Sequence, residues 1–183
     1  MAPLSRKLTA LRIHPNVVTL TGVLLTVLVP VETLREKWVA AGLWLLVAGF
    51  FDILDGSLAR TSRLQGTFGA FWDSTLDRIS EAIVFAGFLL YYEEKRDTFS
   101  LMLAFGTFLL SFLVSYTRAR AEGVGISCEV GVLPRPGRVV LLALGLILGK
   151  LTWALWIVAL LSLITVLQRV HRVWSATSRA THR

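Results

Sequence analysis

Asp52-Ile53-Leu54-Asp55-Gly56-Ser57-Leu58-Ala59-Arg60, continued by Gly69, Asp73 and Asp77, is the stretch on which the fold turns. Its four aspartates stand inside two apolar runs, Trp38 to Ala59 and Phe68 to Tyr92. An aspartate at the centre of a membrane helix costs about 3 kcal/mol, and less toward an end, so four of them need a compensating partner. Asp52 and Asp55 are i,i+3 and Asp73 and Asp77 are i,i+4, so each pair occupies one helical face. Gly56 and Ala59 extend the Asp52 stripe, while Gly66, Gly69 and Ala70 precede Asp73 on the other run. Small residues let backbones approach and leave room for a ligand. The short connection after Arg60 makes the two helices antiparallel neighbours, so the spacing predicts that the carboxylates converge. Such a cluster repels itself unless cations intervene, and an all-oxygen donor set suits Mg²⁺, Mn²⁺ or Ca²⁺ rather than Zn²⁺. Two such ions roughly 4 Å apart would clamp phosphate oxygens during a displacement. A buried ion-pair network with Arg60, Arg63 and Arg78 is the alternative, and it leaves the glycine and alanine stripe unexplained.

Working outward, the chain has 183 residues, of which 55% are hydrophobic and 17% charged, with a mean hydropathy of +0.67. One soluble core of this size does not hide that much apolar side chain, so the bilayer is the expected solvent. The pattern predicts an all-α integral membrane bundle of six transmembrane helices forming a single domain over residues 1–183. The spans are Val17 to Leu34, Trp38 to Ala59, Phe68 to Tyr92, Phe99 to Thr117, Arg138 to Gly149 and Leu151 to Val170. Ala121 to Gly137, with its glycines and prolines, reads as a loop. Gly145 and Gly149 form a GxxxG pair suited to close helix approach. Met1 to His14 sets Leu4, Leu8 and Leu11 opposite much of the charge of Arg6, Lys7 and Arg12. This predicts a juxtamembrane amphipathic helix rather than a cleavable signal.

The formal charge of +7 is distributed asymmetrically. With the N-terminus inside, the outer turns hold Arg35, Lys37, Lys95, Arg96 and Lys150, and the remaining Lys and Arg collect at cytosolic helix ends. Both termini and the aspartates are therefore expected on the cytosolic side. The basic residues flank apolar spans instead of covering a face with interleaved aromatics, which argues against nucleic acid as partner. A single cysteine, Cys128, excludes an internal disulfide.

The run D-x2-D-G-x2-A-R-x8-G-x3-D-x3-D, from Asp52 to Asp77, resembles the defining motif of the CDP-alcohol phosphatidyltransferase family at every fixed position. The resemblance implies transfer of a phosphatidyl group from a CDP-lipid such as CDP-diacylglycerol to an alcohol, releasing CMP. It implies two divalent ions, Mg²⁺ or Mn²⁺, on Asp52, Asp55, Asp73 and Asp77, with Asp77 as the base for the attacking hydroxyl. It places the cytidine nucleotide and pyrophosphate against Gly56, Ala59, Arg60 and Gly69, and it implies a homodimer among membrane lipids. Ser115-Tyr116-Thr117-Arg118-Ala119-Arg120-Ala121-Glu122 and Arg135-Pro136-Gly137-Arg138 are similar to runs of the bacterial phosphatidylinositol-phosphate synthases, with Arg118 where they carry lysine. By that likeness Arg118, Arg135 and Arg138 bind the phosphate of inositol phosphate. Arg169 and Arg172, i,i+3 on the last helix, would complete the pocket. Glycerol phosphate or unphosphorylated inositol are alternative acceptors. The same arginines also suit topology and anionic lipid alone. Glu81 is left between touching the site and pairing with Arg78. From another class, a small cation transporter would expect its acids spread through the membrane depth.

Overall fold

The computed structural model describes the backbone over residues 15–62 and 67–181 and the side chains over 20–53 and 67–178. The expected helix over residues 1–14 lies outside the described residues. Those described are all helical, without strand: α1 (Pro15–Thr26), α2 (Leu28–Leu34), α3 (Trp38–Ser62), α4 (Thr67–Glu94), α5 (Thr98–Gly123), α6 (Arg135–Ile147) and α7 (Leu151–Thr181). Two stretches, Thr98–Gly123 and Leu151–Ser178, are long and apolar enough to cross a membrane, and Leu20–Leu34 and Trp38–Ile53 are shorter apolar helices.

α1 and α2 divide what the sequence presents as one span. Pro30 has no N–H for the carbonyl of Thr26, and its ring crowds that carbonyl, so the helix breaks at Val27. Asp97 caps α5 by accepting the Ser100 backbone N–H at 3.0 Å, and the Ser100 hydroxyl, with that N–H, holds its carboxyl below the usual aspartate range. α6 begins one turn earlier than expected. Proline is tolerated in a first helical turn, so Pro136 continues the helix from Arg135 and sets Arg135 and Arg138 on one face. α7 runs beyond Val170 because no Gly or Pro interrupts the chain as far as Thr181.

The helices pack as a ring of neighbours: α1 on α3 and α4, α2 on α3 and α4, α4 on α5, α5 on α7, α7 on α6, and α6 on α3. Phe85, Phe88, Leu146, Leu155 and Val158 form its buried centre. By contrast, Phe99, Met102, Phe105, Leu109 and Phe112 leave an exposed apolar stripe down α5. Trp153, Trp156, Leu160 and Leu167 do so down α7.

The small-residue stripe of Gly56, Ala59 and Gly66, expected to draw α3 and α4 together, lies outside the described side chains. Among the described residues, other glycines mediate close approach. A Cβ on Gly42 of α3 would lie 2.8 Å from the Ala143 carbonyl oxygen of α6, and one on Gly145 would strike Ala154 of α7. Gly149, its GxxxG partner, instead supplies the positive φ of 62° in the α6–α7 turn. Gly145→Val is therefore expected to force α6 from α7 and lower stability by about 1–3 kcal/mol. Thermal unfolding in detergent checks this, and an unchanged midpoint contradicts it.

Candidate active site

Asp52 reaches the site from the second half of α3, and Asp73 and Asp77 reach it from the first half of α4. One oxygen from each carboxylate lies within 4.8 Å of the others, and all three residues are half-buried. Carboxylates from both helices thus converge on one point. The side chains of Asp55, Gly56, Ala59 and Arg60 lie outside the described residues, although the helix that carries them continues to Ser62. Among the described residues, a Cβ added at Gly69 would meet nothing within 4 Å.

A cation already sits among these acids. The Arg135 guanidinium pairs with both Asp52 and Asp77, while Asp73 has no ion pair within 4.0 Å among the described residues. A position that attracts a guanidinium between hard carboxylate oxygens suits Mg²⁺ or Mn²⁺, and the donor set fits such ions.

Behind the aspartates opens a cavity of about 880 Å³ between α4, α5, α6 and α7. Asp73 and Asp77 form part of one wall, and Arg78, Arg118, Arg135, Arg138 and Arg169 contribute positive charge to the others. Arg118 is half exposed and donates to Glu122 at 2.8 Å, a surface pair of little energetic weight that a ligand can displace. Arg169 is buried. Its Nε donates to the Val130 carbonyl at 2.9 Å and its Nη1 to that of Val114, so this arginine also fastens the 124–134 loop to α7. The Leu133 N–H donates to Thr165 Oγ1 at 3.2 Å beside it, which fixes the entry into α6.

Arg172 does not join this chamber. One turn on from Arg169 it faces a separate cleft of about 470 Å³ with Gln168, His171 and Ser175. The two arginines are i,i+3 on α7, yet Arg169 lines the chamber and Arg172 lines the neighbouring cleft with Val130, Gly131 and Val132. Two residues the sequence left unassigned stand at the site instead. Arg78 lines the chamber, and Glu81, one turn beyond Asp77, accepts hydrogen bonds from Arg78 and from Ser111 of α5. The i,i+4 step from Asp77 to Glu81 was the available signal, since it puts both acids on one face of α4.

An all-helical bundle with a carboxylate cluster opening on an arginine-lined chamber defines a metal-dependent membrane-type enzyme for phosphate-bearing substrates. Residues 12–175 match the family model for CDP-alcohol phosphatidyltransferase, and the chain belongs to that family. It is 35% identical to the archaetidylinositol phosphate synthase of Pyrococcus horikoshii, covering 92% of this chain and 87% of that protein. It is 32% identical to the phosphatidylinositol phosphate synthase of Mycobacteroides abscessus, over 93% and 82% of the two chains. The crystal structure of Mycobacterium tuberculosis phosphatidylinositol phosphate synthase with CDP-DAG bound superposes with a TM-score of 0.83 at 31% identity. That alignment covers 94% of this chain and 92% of the other. The same enzyme in complex with manganese and citrate gives a TM-score of 0.82 at 31% identity, over 94% and 88%.

Proposed function

We propose that this CDP-alcohol phosphatidyltransferase transfers the phosphatidyl group of a CDP-lipid to inositol phosphate and releases CMP. The observation that carries the reading is the continuity of the two halves of the site: Asp73 and Asp77 belong both to the carboxylate cluster and to the wall of the arginine-lined chamber. A donor phosphate at the cluster and an anionic acceptor in the chamber would meet at Asp77. The names of the mycobacterial and archaeal relatives agree with an inositol phosphate acceptor.

Asp52, Asp55, Asp73 and Asp77 would hold two divalent ions, which would supply positive charge to neutralise the pyrophosphate and the departing CMP. Gly56, Ala59, Arg60 and Gly69 take the nucleotide and pyrophosphate. Arg118, Arg135 and Arg138 bind the acceptor phosphate. Asp77 then accepts the proton of the acceptor hydroxyl as its oxygen bonds to the lipid-bearing phosphorus, and the bond from that phosphorus to the CMP oxygen breaks. Arg169 serves the chamber chiefly by holding its loop, and Arg172 stands outside it.

The whole chain, residues 1–183, forms one membrane domain of six spans, with α1 and α2 together making the first. The exposed apolar stripes of α5 and α7 face lipid, both termini and the site lie on the cytosolic side, and two copies assemble as a homodimer. A cation path is disfavoured because the three described acids cluster at one level and open on a chamber of arginines. CMP release by the purified protein, with CDP-diacylglycerol and Mg²⁺ or Mn²⁺, tests the acceptor. Turnover with inositol phosphate well above that with glycerol phosphate or inositol is expected, and preference for either of the others overturns the assignment.

A further inference from the structure

Glu81 does not line the chamber, yet it stands directly behind two of the arginines that do. Its Oε2 accepts from Arg78, and its Oε1 accepts from the Ser111 hydroxyl and lies 3.4 Å from Arg138 Nη2. Arg138 is 2% exposed. Apart from that ion pair its only hydrogen bond among the described residues is a long one, 3.5 Å, from Nη1 to the Leu133 carbonyl. Among the described residues its Nε and Nη2 have no hydrogen-bond partner of good geometry. A guanidinium so deeply buried carries a heavy desolvation cost, and one acid shared with Arg78 and Ser111 offsets only part of it. Arg138 is also one of the residues that line the chamber, where an anion would offset more of that cost.

We infer that Glu81 is a positioning residue for the acceptor: braced by Ser111, it holds Arg138 and Arg78 in the geometry that receives the acceptor's phosphate. This rests on the proposed inositol phosphate reading. The ladder it forms is regular. Arg135 and Arg138 are i,i+3 on α6, Asp77 and Glu81 are i,i+4 on α4, and each arginine meets the acid at its own level. The outer rung, Arg135 with Asp77, can exchange partners when substrates arrive. The inner rung is tied to a third helix through Ser111 and is fixed.

Electrostatics and positioning predict opposite signs here. If Glu81 only diluted the positive charge of the chamber, Glu81→Gln would tighten phosphate binding. If it positions Arg138 and Arg78, the same change leaves a buried guanidinium without its anchor and weakens binding. Kinetics of the full-length protein in detergent or lipid, with calorimetry of inositol phosphate and Mn²⁺ binding, distinguishes them. Expected for Glu81→Gln is an acceptor KM raised roughly ten- to a hundredfold, the loss of one charge-assisted hydrogen bond. CDP-lipid KM and Mn²⁺ affinity should stay unchanged. Ser111→Ala, which removes the brace and no charge, should raise the acceptor KM a few-fold. An acceptor KM that is unchanged or lower in Glu81→Gln overturns the inference. So does a fall in donor binding, metal binding and melting temperature together, which would mark Glu81 as merely structural. A wild-type protein that neither binds nor turns over inositol phosphate overturns the acceptor reading itself, a failure visible without any variant.

Discussion

Asp73→Asn is expected to lower CMP release by about a thousandfold while leaving the protein folded and, without metal, more stable. Electrostatic stabilisation of a transferring phosphoryl group is commonly the largest catalytic contribution, and losing one such element costs on the order of 10²–10³ in rate. Asp73 is the informative acid because Arg135 pairs with Asp52 and Asp77, and among the described residues Asp73 has no ion pair. Three carboxylate oxygens within 4.8 Å of one another repel, and among the described residues Arg135 pairs with only two of the three acids. Removing the charge of Asp73 relieves that repulsion when a chelator is present. Added Mn²⁺ should then raise the melting temperature of the wild type far more than that of the variant. Activity and thermal unfolding, each with and without Mn²⁺, check both halves. A variant that stays active, or that gains as much stability from Mn²⁺ as the wild type, would remove Asp73 from the metal site.

The second large effect belongs to Arg135. Its guanidinium lies between the acids a divalent ion would use, so ion and arginine compete for Asp52 and Asp77. Arg135→Ala is therefore expected to bind Mn²⁺ more tightly, by roughly tenfold, since the competing guanidinium and its two ion pairs are gone. The same change should raise the acceptor KM by about a hundredfold, because a guanidinium fork to a phosphate is lost from the chamber wall. Binding and catalysis thus move in opposite directions, which general damage to the fold does not produce. Calorimetry with Mn²⁺ and steady-state kinetics with inositol phosphate read the two effects. Weaker Mn²⁺ binding in the variant would contradict the competition.

The helices were legible because hydropathy and charged turns mark them directly. α3, α4 and α5 begin within a residue of where the apolar runs do. Deviations arise where one residue overrides the run. Pro30 splits the first span, Pro136 admits an earlier start to α6, and the absence of a breaker after Val170 lengthens α7. The acids were legible for a similar reason, since i,i+3 and i,i+4 spacing fixes which side chains share a face.

What the sequence did not convey was direction between helices. It did not single out Gly42, which brings α3 against α6, because that contact exists only once the helices have packed. It grouped Arg172 with Arg169, but only Arg169 turns into the chamber. It left Glu81 open, because its partners Ser111 and Arg138 are thirty or more positions away and meet it only once α4, α5 and α6 have packed.

The central claim is that the carboxylate cluster and the arginine chamber together join a phosphatidyl group to an inositol phosphate. Mass spectrometry of the lipid formed from CDP-diacylglycerol, with Mn²⁺ and with or without inositol phosphate, tests it most directly. The predicted result is a phosphatidylinositol phosphate that appears only when both acceptor and metal are present, with CMP in equal amount. CMP accompanied by phosphatidic acid, at a rate indifferent to inositol phosphate, would contradict it, since the chamber would then deliver water and not an acceptor to the reacting phosphorus.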